Sequence, residues 1–329
     1  MAINLLSQLL AQGRELRDLV GFNRRKALRF QESQLKKLLY TARKTAFGQT
    51  HGFEEILLSG DVYAAFAARV PAGDYSAMYP WWQRAYNGEK DVTWPGQVKF
   101  FAMSSGTTEA ASKYIPVTRD MIKSINRTSA RQVMSILKTD LPKDYLAKQH
   151  LMIGGSTDLN FNGTVWSGDL SGITTSHIPV WFQRFSKPGN DIKKQRDWHE
   201  KLSLIVNEAP KWDIVMIAGV PAWIKMLFEM IIKQYHLNSI HDIWPNLSVY
   251  VHGGVALEPY RKGLDRLMGK PIMYFETYLA SEGFLAYQTR IDAGGMRLNF
   301  RNGIFYEFVP FNRENFNENQ PLHSTQGQN

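Results

Sequence analysis

The chain has 329 residues, of which 44% are hydrophobic and 21% are charged, a balance typical of a soluble globular protein. Its formal net charge is +9, so its surface should attract anions, yet the 39 lysines and arginines are scattered and no nucleic-acid-binding pattern is found. We therefore expect no nucleic-acid partner. Cysteine is absent, which excludes disulfides, thiolate metal sites and cysteine nucleophiles.

The first 90 residues are predicted to be mainly helical. Leu28, Leu35, Leu38, Leu39 and Ala42 fall at helical spacing with charged and polar residues between them. This pattern favours an amphipathic packing helix over a membrane-surface helix. No apolar run approaches the ~18 residues of a membrane span, and the start lacks the basic segment of a secretory signal, so we expect a cytoplasmic protein without a membrane partner.

From residue 97 onward, strands are predicted to alternate with helices, which indicates an α/β fold with mostly parallel sheets flanked by helices. Ligands of such sheets bind beyond the carboxyl ends of the strands, where the candidate motifs lie. The predicted strands are residues 98–103, 150–153, 213–218, 247–251 and 271–275, and the predicted helices are residues 118–138, 198–209, 221–235 and 257–268, with Thr118 as an N-cap and Pro221 in a first turn.

The end of the chain divides into two parts. Residues 296–300 and 303–309 alternate apolar and polar residues around Asn302 and Gly303, which predicts a β-hairpin. Residues 311–329 are rich in asparagine and glutamine, so we expect a disordered tail or a linker. The expected domain is therefore residues 1–310, with residues 1–90 mainly helical and residues 97–310 α/β.

The strongest local signal is the segment SSGTTEAASK at residues 104–113. Consecutive small polar residues supply backbone N–H and hydroxyl donors, and Gly106 permits a tight turn that brings the backbone close to an anion. The segment differs from the G-x-x-x-x-G-K-[ST] loop in spacing, and a polar connection without ligand is the alternative. The candidate phosphate-binding residues are Ser104, Ser105, Gly106, Thr107, Thr108 and Lys113.

Two further motifs follow strands. In residues 278–283 (YLASEG), Glu282 is a natural Mg²⁺ ligand beside a triphosphate, and Tyr278 has the ring to stack on a purine; a surface glutamate with a packed tyrosine is the alternative. His252 is followed by Gly253 and Gly254, which let a flat ring lie against the backbone or simply form a tight turn. No H-E-x-x-H, G-x-S-x-G or G-x-G-x-x-G motif is present.

Residues 104–116 (SSGTTEAASKYIP), the HGG turn and residues 278–283 together resemble the auxin-responsive acyl-acid amido synthetase family. That family belongs to the adenylate-forming superfamily of acyl-CoA synthetases, luciferases and peptide-synthetase adenylation domains. The resemblance implies its large N-terminal domain, with ATP and Mg²⁺ as cofactors and a small carboxylic acid and an amine, an amino acid among the candidates, as substrates. It assigns Gly253, Gly254 and Tyr278 to the adenine wall and Ser281 and Glu282 to phosphate and Mg²⁺, with Ser281, Glu282 and Lys113 as catalytic residues.

The resemblance further implies that two parts of the family fold have no counterpart here: a downstream Gly-Asp segment that holds the ribose and a mobile C-terminal domain with a catalytic lysine. We therefore expect weak ATP binding and poor adenylation. An acid–CoA ligase and a catalytically silent nucleotide-binding module are the alternatives. Four residues with aromatic rings are candidates to line an acyl pocket: Trp166, His177, Trp181 and Phe182. Packing in the core is the favoured role for them.

Overall fold

The computed structural model describes residues 24–104, 113–141, 144–178, 180–291 and 293–308. Its first part is a layer of five helices, as predicted. Leu35, Leu39 and Ala42 are buried in the core of this layer, whereas Leu28 is exposed. The helices are α1 (Arg24–Ala42), α2 (Ala46–Thr50), α3 (Phe53–Leu58), α4 (Val62–Arg69) and α5 (Tyr75–Tyr86), and the side chains of Thr45, Asp61 and Asp74 cap α2, α4 and α5.

A four-stranded sheet follows, in the order β2-β1-β5-β4. Strand β1 is antiparallel to β2 and parallel to β5, and β4 is antiparallel to β5. The two sides of β1 face different cores: Phe101 packs towards α5, and Ala102 faces the opposite cluster. The strands are β1 (Phe100–Ser104), β2 (Lys113–Val117), β4 (Asn160–Phe161) and β5 (Trp166–Gly168).

The larger sheet has seven strands in the order β11-β10-β9-β8-β7-β3-β6. Strands β6, β3, β7, β8 and β9 are mutually parallel, and β10 and β11 extend the sheet in antiparallel pairing. The predicted parallel order is therefore confirmed for this sheet. The strands are β3 (Gln149–Met152), β6 (Ser186–Lys187), β7 (Ile214–Gly219), β8 (Val249–Gly253), β9 (Met273–Ala280), β10 (Gly283–Tyr287) and β11 (Arg297–Leu298).

Helices cover both faces of the seven-stranded sheet. Tyr250 and Tyr274 point to a cluster that includes helices α10 to α12, whereas their neighbours Val249 and Phe275 join the cluster beneath α6. This alternation is the signature of a strand buried on both sides. The helices are α6 (Arg119–Ile136), α7 (Leu170–Thr175), α8 (Val180–Gln183), α9 (Asn190–Lys194), α10 (Trp198–Glu208), α11 (Pro221–Tyr235) and α12 (Glu258–Leu267), with 3-10 turns at Tyr145–Ala147, Ala209–Lys211 and Ile240–Asp242.

The helix boundaries agree with the sequence signals. The hydroxyl of Thr118 accepts a hydrogen bond from the backbone N–H of Met121, and Pro221 occupies the first turn of α11, both as predicted. None of the helices in the described residues combines the length and the apolar composition that a bilayer span requires.

The hairpin predicted around Asn302 and Gly303 is wrong. Strand β11 pairs with β10, and residues 304–308 form no strand. Side chains hold this backbone instead: the amide of Gln31 donates to the carbonyls of Phe300 and Ile304 and accepts from the N–H of Tyr306. Phe305 of this segment packs against the helical layer, where its ring contacts those of Tyr63 and Phe66.

Candidate active site

The segment 104–113 begins and ends on two paired strands. Ser104 is the last residue of β1 and Lys113 the first of β2, and they are opposite one another in the antiparallel register. The sequence predicted no strand between this segment and the helix at residue 118, but β2 lies there and α6 starts at Arg119. Ile115 and Val117, two residues apart in β2, are both buried, which is the period of a half-buried strand. Four predicted phosphate-binding residues lie outside the described residues: Ser105, Gly106, Thr107 and Thr108.

Lys113 is positioned by the first residue of helix α5. Its Nζ lies 5.2 Å from the centroid of the Tyr75 ring, a cation–π contact. The Tyr75 hydroxyl accepts a hydrogen bond of 3.1 Å from the N–H of Tyr114, the residue after Lys113. Tyr75 thus contacts both the side chain and the adjoining backbone of β2. No sequence pattern singled out this tyrosine, because it stands among several aromatic residues of α5.

The second motif lies at the tip of the β9–β10 hairpin, which extends past the end of the neighbouring strand β8. Strand β9 runs to Ala280 rather than ending near residue 275, so Tyr278 is within a strand and Ser281 and Glu282 form the turn to β10. The register of β8 with β9 ends at Thr277, whereas β9 pairs with β10 from Thr277 to Ala280. The motif therefore stands past the carboxyl end of β8, where ligands of parallel sheets bind.

The side chains of this hairpin are available to a ligand. Tyr278 is 52% exposed, and Glu282 is exposed as well. Within the described ranges, neither side chain makes a hydrogen bond, ion pair or ring contact. A free carboxylate is suited to a hard cation such as Mg²⁺, which takes one or two carboxylates and completes its shell with phosphate oxygens and water. No group of three or more histidine or acidic residues that could hold a metal occurs in the described part of the chain.

The two glycines after His252 have different reasons to lack a side chain. A Cβ on Gly253 would lie 2.5 Å from the Thr277 hydroxyl and 2.6 Å from its carbonyl oxygen, so close packing of β8 on β9 requires glycine there. Gly254 has φ of +83°, is exposed, and leaves its surroundings open apart from Val220. The structure therefore explains Gly253 without a ligand and leaves Gly254 as the position open to a flat ring.

His252 itself is buried between two tyrosine rings. Its ring centroid lies 5.6 Å from that of Tyr250 and 6.5 Å from that of Tyr274, and its Nδ1 has no hydrogen-bond partner in the described structure. Burial lowers the pKa of His252 to about 4, and the positive charge of Arg261 acts in the same direction. The imidazole is therefore neutral at pH 7.

Both hairpins adjoin a single hydrophobic cluster. Ala102 of β1, Val117 of β2 and Phe284 of β10 are members of this cluster, and Leu279 of β9 packs against it. The strands that lead into the two candidate motifs thus share a core. Gly106 lies outside the described residues, so its approach to Glu282 stays a prediction.

The aromatic candidates for an acyl pocket pack against different partners. Trp166 lies on Phe161, the His177 ring meets Phe100 edge-on, and Phe182 stacks on His150. His177 and Phe182 thus pack against neighbouring rings, as the sequence favoured, whereas Trp166 is 41% exposed and pairs with the exposed Phe161 outside the core. Nothing is described of the Trp181 side chain.

Comparison with protein families identifies the chain. The model of the GH3 family N-terminal domain matches residues 22–205, more than half of the sequence. The chain belongs to the GH3 family. This match includes the segment 104–113, so the family resemblance of that motif is confirmed. No curated protein sequence matches the chain at a significant level.

Solved structures show which fold the GH3 chain has. A GH3.15 acyl acid amido synthetase is 12% identical with a TM-score of 0.62, and it covers 80% of this chain and 54% of its own. The AtGH3.15 complex with 2,4-DB is 13% identical with a TM-score of 0.59, covering 84% and 55%. A 2-hydroxyisobutyryl-CoA ligase with 2-HIB-AMP and CoA is 14% identical with a TM-score of 0.57, covering 84% and 54%. The chain thus has the α/β fold of the N-terminal part of adenylate-forming enzymes and spans about half of the structures it matches.

Proposed function

We propose that this GH3 chain binds ATP with Mg²⁺, activates a small carboxylic acid as an acyl-adenylate and transfers the acyl group to an amine. The observation that carries the proposal is the shared cluster beneath the β1–β2 and β9–β10 hairpins in a chain of this family. We further propose residues 1–310 as the domain that binds ATP and the acid.

The proposed chemistry requires charge stabilisation more than covalent catalysis. The carboxylate attacks the α-phosphorus, the bond to pyrophosphate breaks, and the amine later displaces AMP from the acyl carbon. Donors of residues 104–108 and the Lys113 ammonium hold phosphate oxygens whose charge grows as pyrophosphate departs. Bound Mg²⁺ supplies further positive charge to those oxygens, and the Glu282 carboxylate is the residue that would hold it.

The geometry of Lys113 supports its role. Its ammonium lies on the Tyr75 ring, and a cation–π contact leaves its N–H groups able to donate to an anion. Lys113 also stands directly across the strand pair from Ser104. An anion bound by residues 104–108 would therefore lie close to the positive charge of Lys113. Tyr278, exposed at 52%, and the open Gly254 are the proposed adenine contacts.

Binding of Mg·ATP tests the proposal most simply, by titration calorimetry on the chain and four variants. We expect Lys113→Ala and Glu282→Gln each to weaken binding at least tenfold, about 1.4 kcal/mol. Lys99→Ala and Glu32→Gln are the matched controls, because both residues are exposed; Glu32 lies on α1, and Lys99 lies just before β1, at the opposite end of that strand from Ser104. Unchanged affinity in both site variants would overturn the proposed site, and binding without turnover would favour the silent module.

A second experiment distinguishes the acceptor. The matched ligase structure contains 2-HIB-AMP and CoA, which favours an acid–CoA ligase as the alternative function. The chain is incubated with Mg·ATP, a panel of carboxylic acids, and either mixed amino acids or CoA, and products are identified by mass spectrometry. Amide formation with AMP and pyrophosphate supports the amido synthetase, whereas thioester formation supports the alternative.

A further inference from the structure

The turn that bears Glu282 is covered on one side by a distant part of the chain. Gly283, the next residue, is buried, although Glu282 itself is exposed. A Cβ on Gly283 would lie 2.7 Å from Cδ1 of Ile304, so the Ile304 side chain lies directly against the backbone of the turn. Glycine at this position therefore lets Ile304 approach the start of β10 closely.

Ile304 belongs to residues 299–306, a stretch after β11 that we call the connecting segment. Within it, Asn302 is 3% exposed, and its amide donates to the Phe284 carbonyl of β10 at 2.7 Å. The same amide donates to the Tyr306 hydroxyl at 2.6 Å and accepts from the N–H of Ile304 at 3.2 Å. One buried amide thus joins the beginning of β10 to the segment that covers it.

The connecting segment is also bonded to helix α6. The Ser124 hydroxyl of this helix donates to the backbone carbonyl of Asn302. The side-chain amide of Asn299 donates to the Thr128 hydroxyl at 3.1 Å. Because α6 comes directly after β2 in the chain, the connecting segment joins the β9–β10 hairpin to the helix that continues from the β1–β2 hairpin.

Helix α1 holds the other side of the connecting segment through one glutamine. Gln31 is 7% exposed, and its amide is bonded to the backbone of three residues of the segment: Phe300, Ile304 and Tyr306. Burying an amide is favourable only when its polar groups are paired, and paired groups impose directions that apolar packing does not. The amides of Gln31 and Asn302 therefore fix the backbone path of the segment rather than merely fill space.

We propose that Asn302 and Gln31 are positioning residues of the Mg·ATP site, an inference that rests on the proposed function. They act through the connecting segment, which keeps the turn bearing Glu282 in one orientation relative to the β1–β2 hairpin. Neither residue is a metal ligand. The groups that orient a metal ligand nevertheless matter for binding, and their loss typically lowers metal affinity about 10- to 100-fold.

The first measurement separates metal binding from nucleotide binding. Calorimetric titration gives the affinity of the whole chain for ATP with Mg²⁺ and in EDTA, and the ratio of the two is the gain from the metal. Asn302→Leu and Gln31→Met keep the approximate size of each side chain and remove its hydrogen bonds without adding charge. We expect each to lower the gain about tenfold, as is typical when a metal ligand loses its orientation, and to leave the affinity in EDTA nearly unchanged.

A merely structural role predicts a different result. Loss of folded protein would lower both affinities together and leave their ratio as it was. An unchanged gain from Mg²⁺ in both variants would therefore overturn the proposal.

Hydrogen–deuterium exchange measures the positioning without any nucleotide. Peptides that span the β9–β10 turn should exchange faster in Asn302→Leu and in Gln31→Met, whereas peptides from β7 should keep their protection. Gln49→Met on α2 and Asn207→Leu on α10 are the matched controls, because both amides are exposed, and they should leave exchange and metal gain unchanged.

The two measurements also distinguish this inference from the proposed function. A chain that binds no Mg·ATP would overturn the proposed function, and exchange of the turn would still decide whether Asn302 and Gln31 hold it. A chain that binds Mg·ATP, with unchanged exchange of the turn in both variants, would overturn the positioning role alone.

Discussion

The carboxyl edge of the seven-stranded sheet has two ends with opposite character. At the open end, the β9–β10 hairpin presents Tyr278 and Glu282 to solvent, without partners among the described residues. At the closed end, Lys193 and Lys201 are buried around a small cavity. Substitutions at the two ends should therefore differ in their effects. At the open end they should change ligand binding without loss of stability, whereas substitutions of buried groups should also change the free energy of folding.

The largest expected effect concerns buried histidines. Burial lowers the pKa of His150 and of His252 from 6.5 to about 4, so both are neutral in the folded chain near pH 7. Between those pH values the unfolded chain binds protons that the folded chain does not, and the free energy of unfolding therefore falls as the pH falls. Each histidine contributes up to about 3 kcal/mol of this loss.

Urea unfolding at pH 7.0 and pH 4.5 measures this loss, and His150→Phe should make it smaller while retaining a ring against Phe182. The exposed His199, replaced by glutamine, is the control and should leave the pH dependence unchanged. The same pH dependence in the chain and in His150→Phe would show that the acid sensitivity arises elsewhere.

The next largest effect is expected on the free energy of unfolding when Gly253, which lies between the two ends, is replaced. Gly253→Ala places a Cβ 2.6 Å from the Thr277 carbonyl oxygen, so β8 and β9 must separate, and we expect a loss of about 1–3 kcal/mol in the free energy of unfolding. Gly254→Ala is the comparison, since its added Cβ meets Val220 at an ordinary 3.4 Å and its cost comes from a φ of +83°. Chemical denaturation measures both, and an unaltered stability of Gly253→Ala would refute the packing explanation.

At the open end, Tyr278→Ala should weaken Mg·ATP binding about fivefold to 150-fold, because an exposed ring that stacks on a base is lost and base stacking on an aromatic residue is worth ~1–3 kcal/mol. The free energy of unfolding should change by less than about 0.5 kcal/mol. Tyr278→Phe retains the ring and should retain the affinity. Calorimetric titration and denaturation of both variants decide the point, and a destabilised Tyr278→Ala with normal affinity would reverse the assignment.

The smallest effect is expected at the closed end. Lys201→Met should leave the chain as stable as before or more stable by up to about 1 kcal/mol, because it removes a buried charge that makes no ion-pair contact among the described residues. The measurement is the unfolding midpoint in urea. A loss above about 2 kcal/mol would mean that the hydrogen bond from Lys201 to the Gly154 carbonyl stabilises the fold by itself.

The sequence predicted the parallel strands and their helices well because hydrophobic period and turn residues are local signals. Thr118, for example, caps α6 by accepting from the N–H of Met121, and Pro221 stands in the first turn of α11, where its fixed φ suits a helix. The path of residues 304–308 could not be predicted, since it depends on Gln31, more than 270 residues away in sequence. The contact of Tyr75 with Lys113 was missed for the same reason, because the two residues lie on different elements.

The central claim is that the β1–β2 and β9–β10 hairpins converge on one triphosphate. Diffraction from a crystal soaked with ATP and Mn²⁺ tests it directly, because anomalous scattering locates the metal that replaces Mg²⁺. The account predicts a manganese peak at the Glu282 carboxylate with phosphate density reaching to Lys113. A nucleotide bound away from both residues, or manganese ligated by other carboxylates, would contradict it.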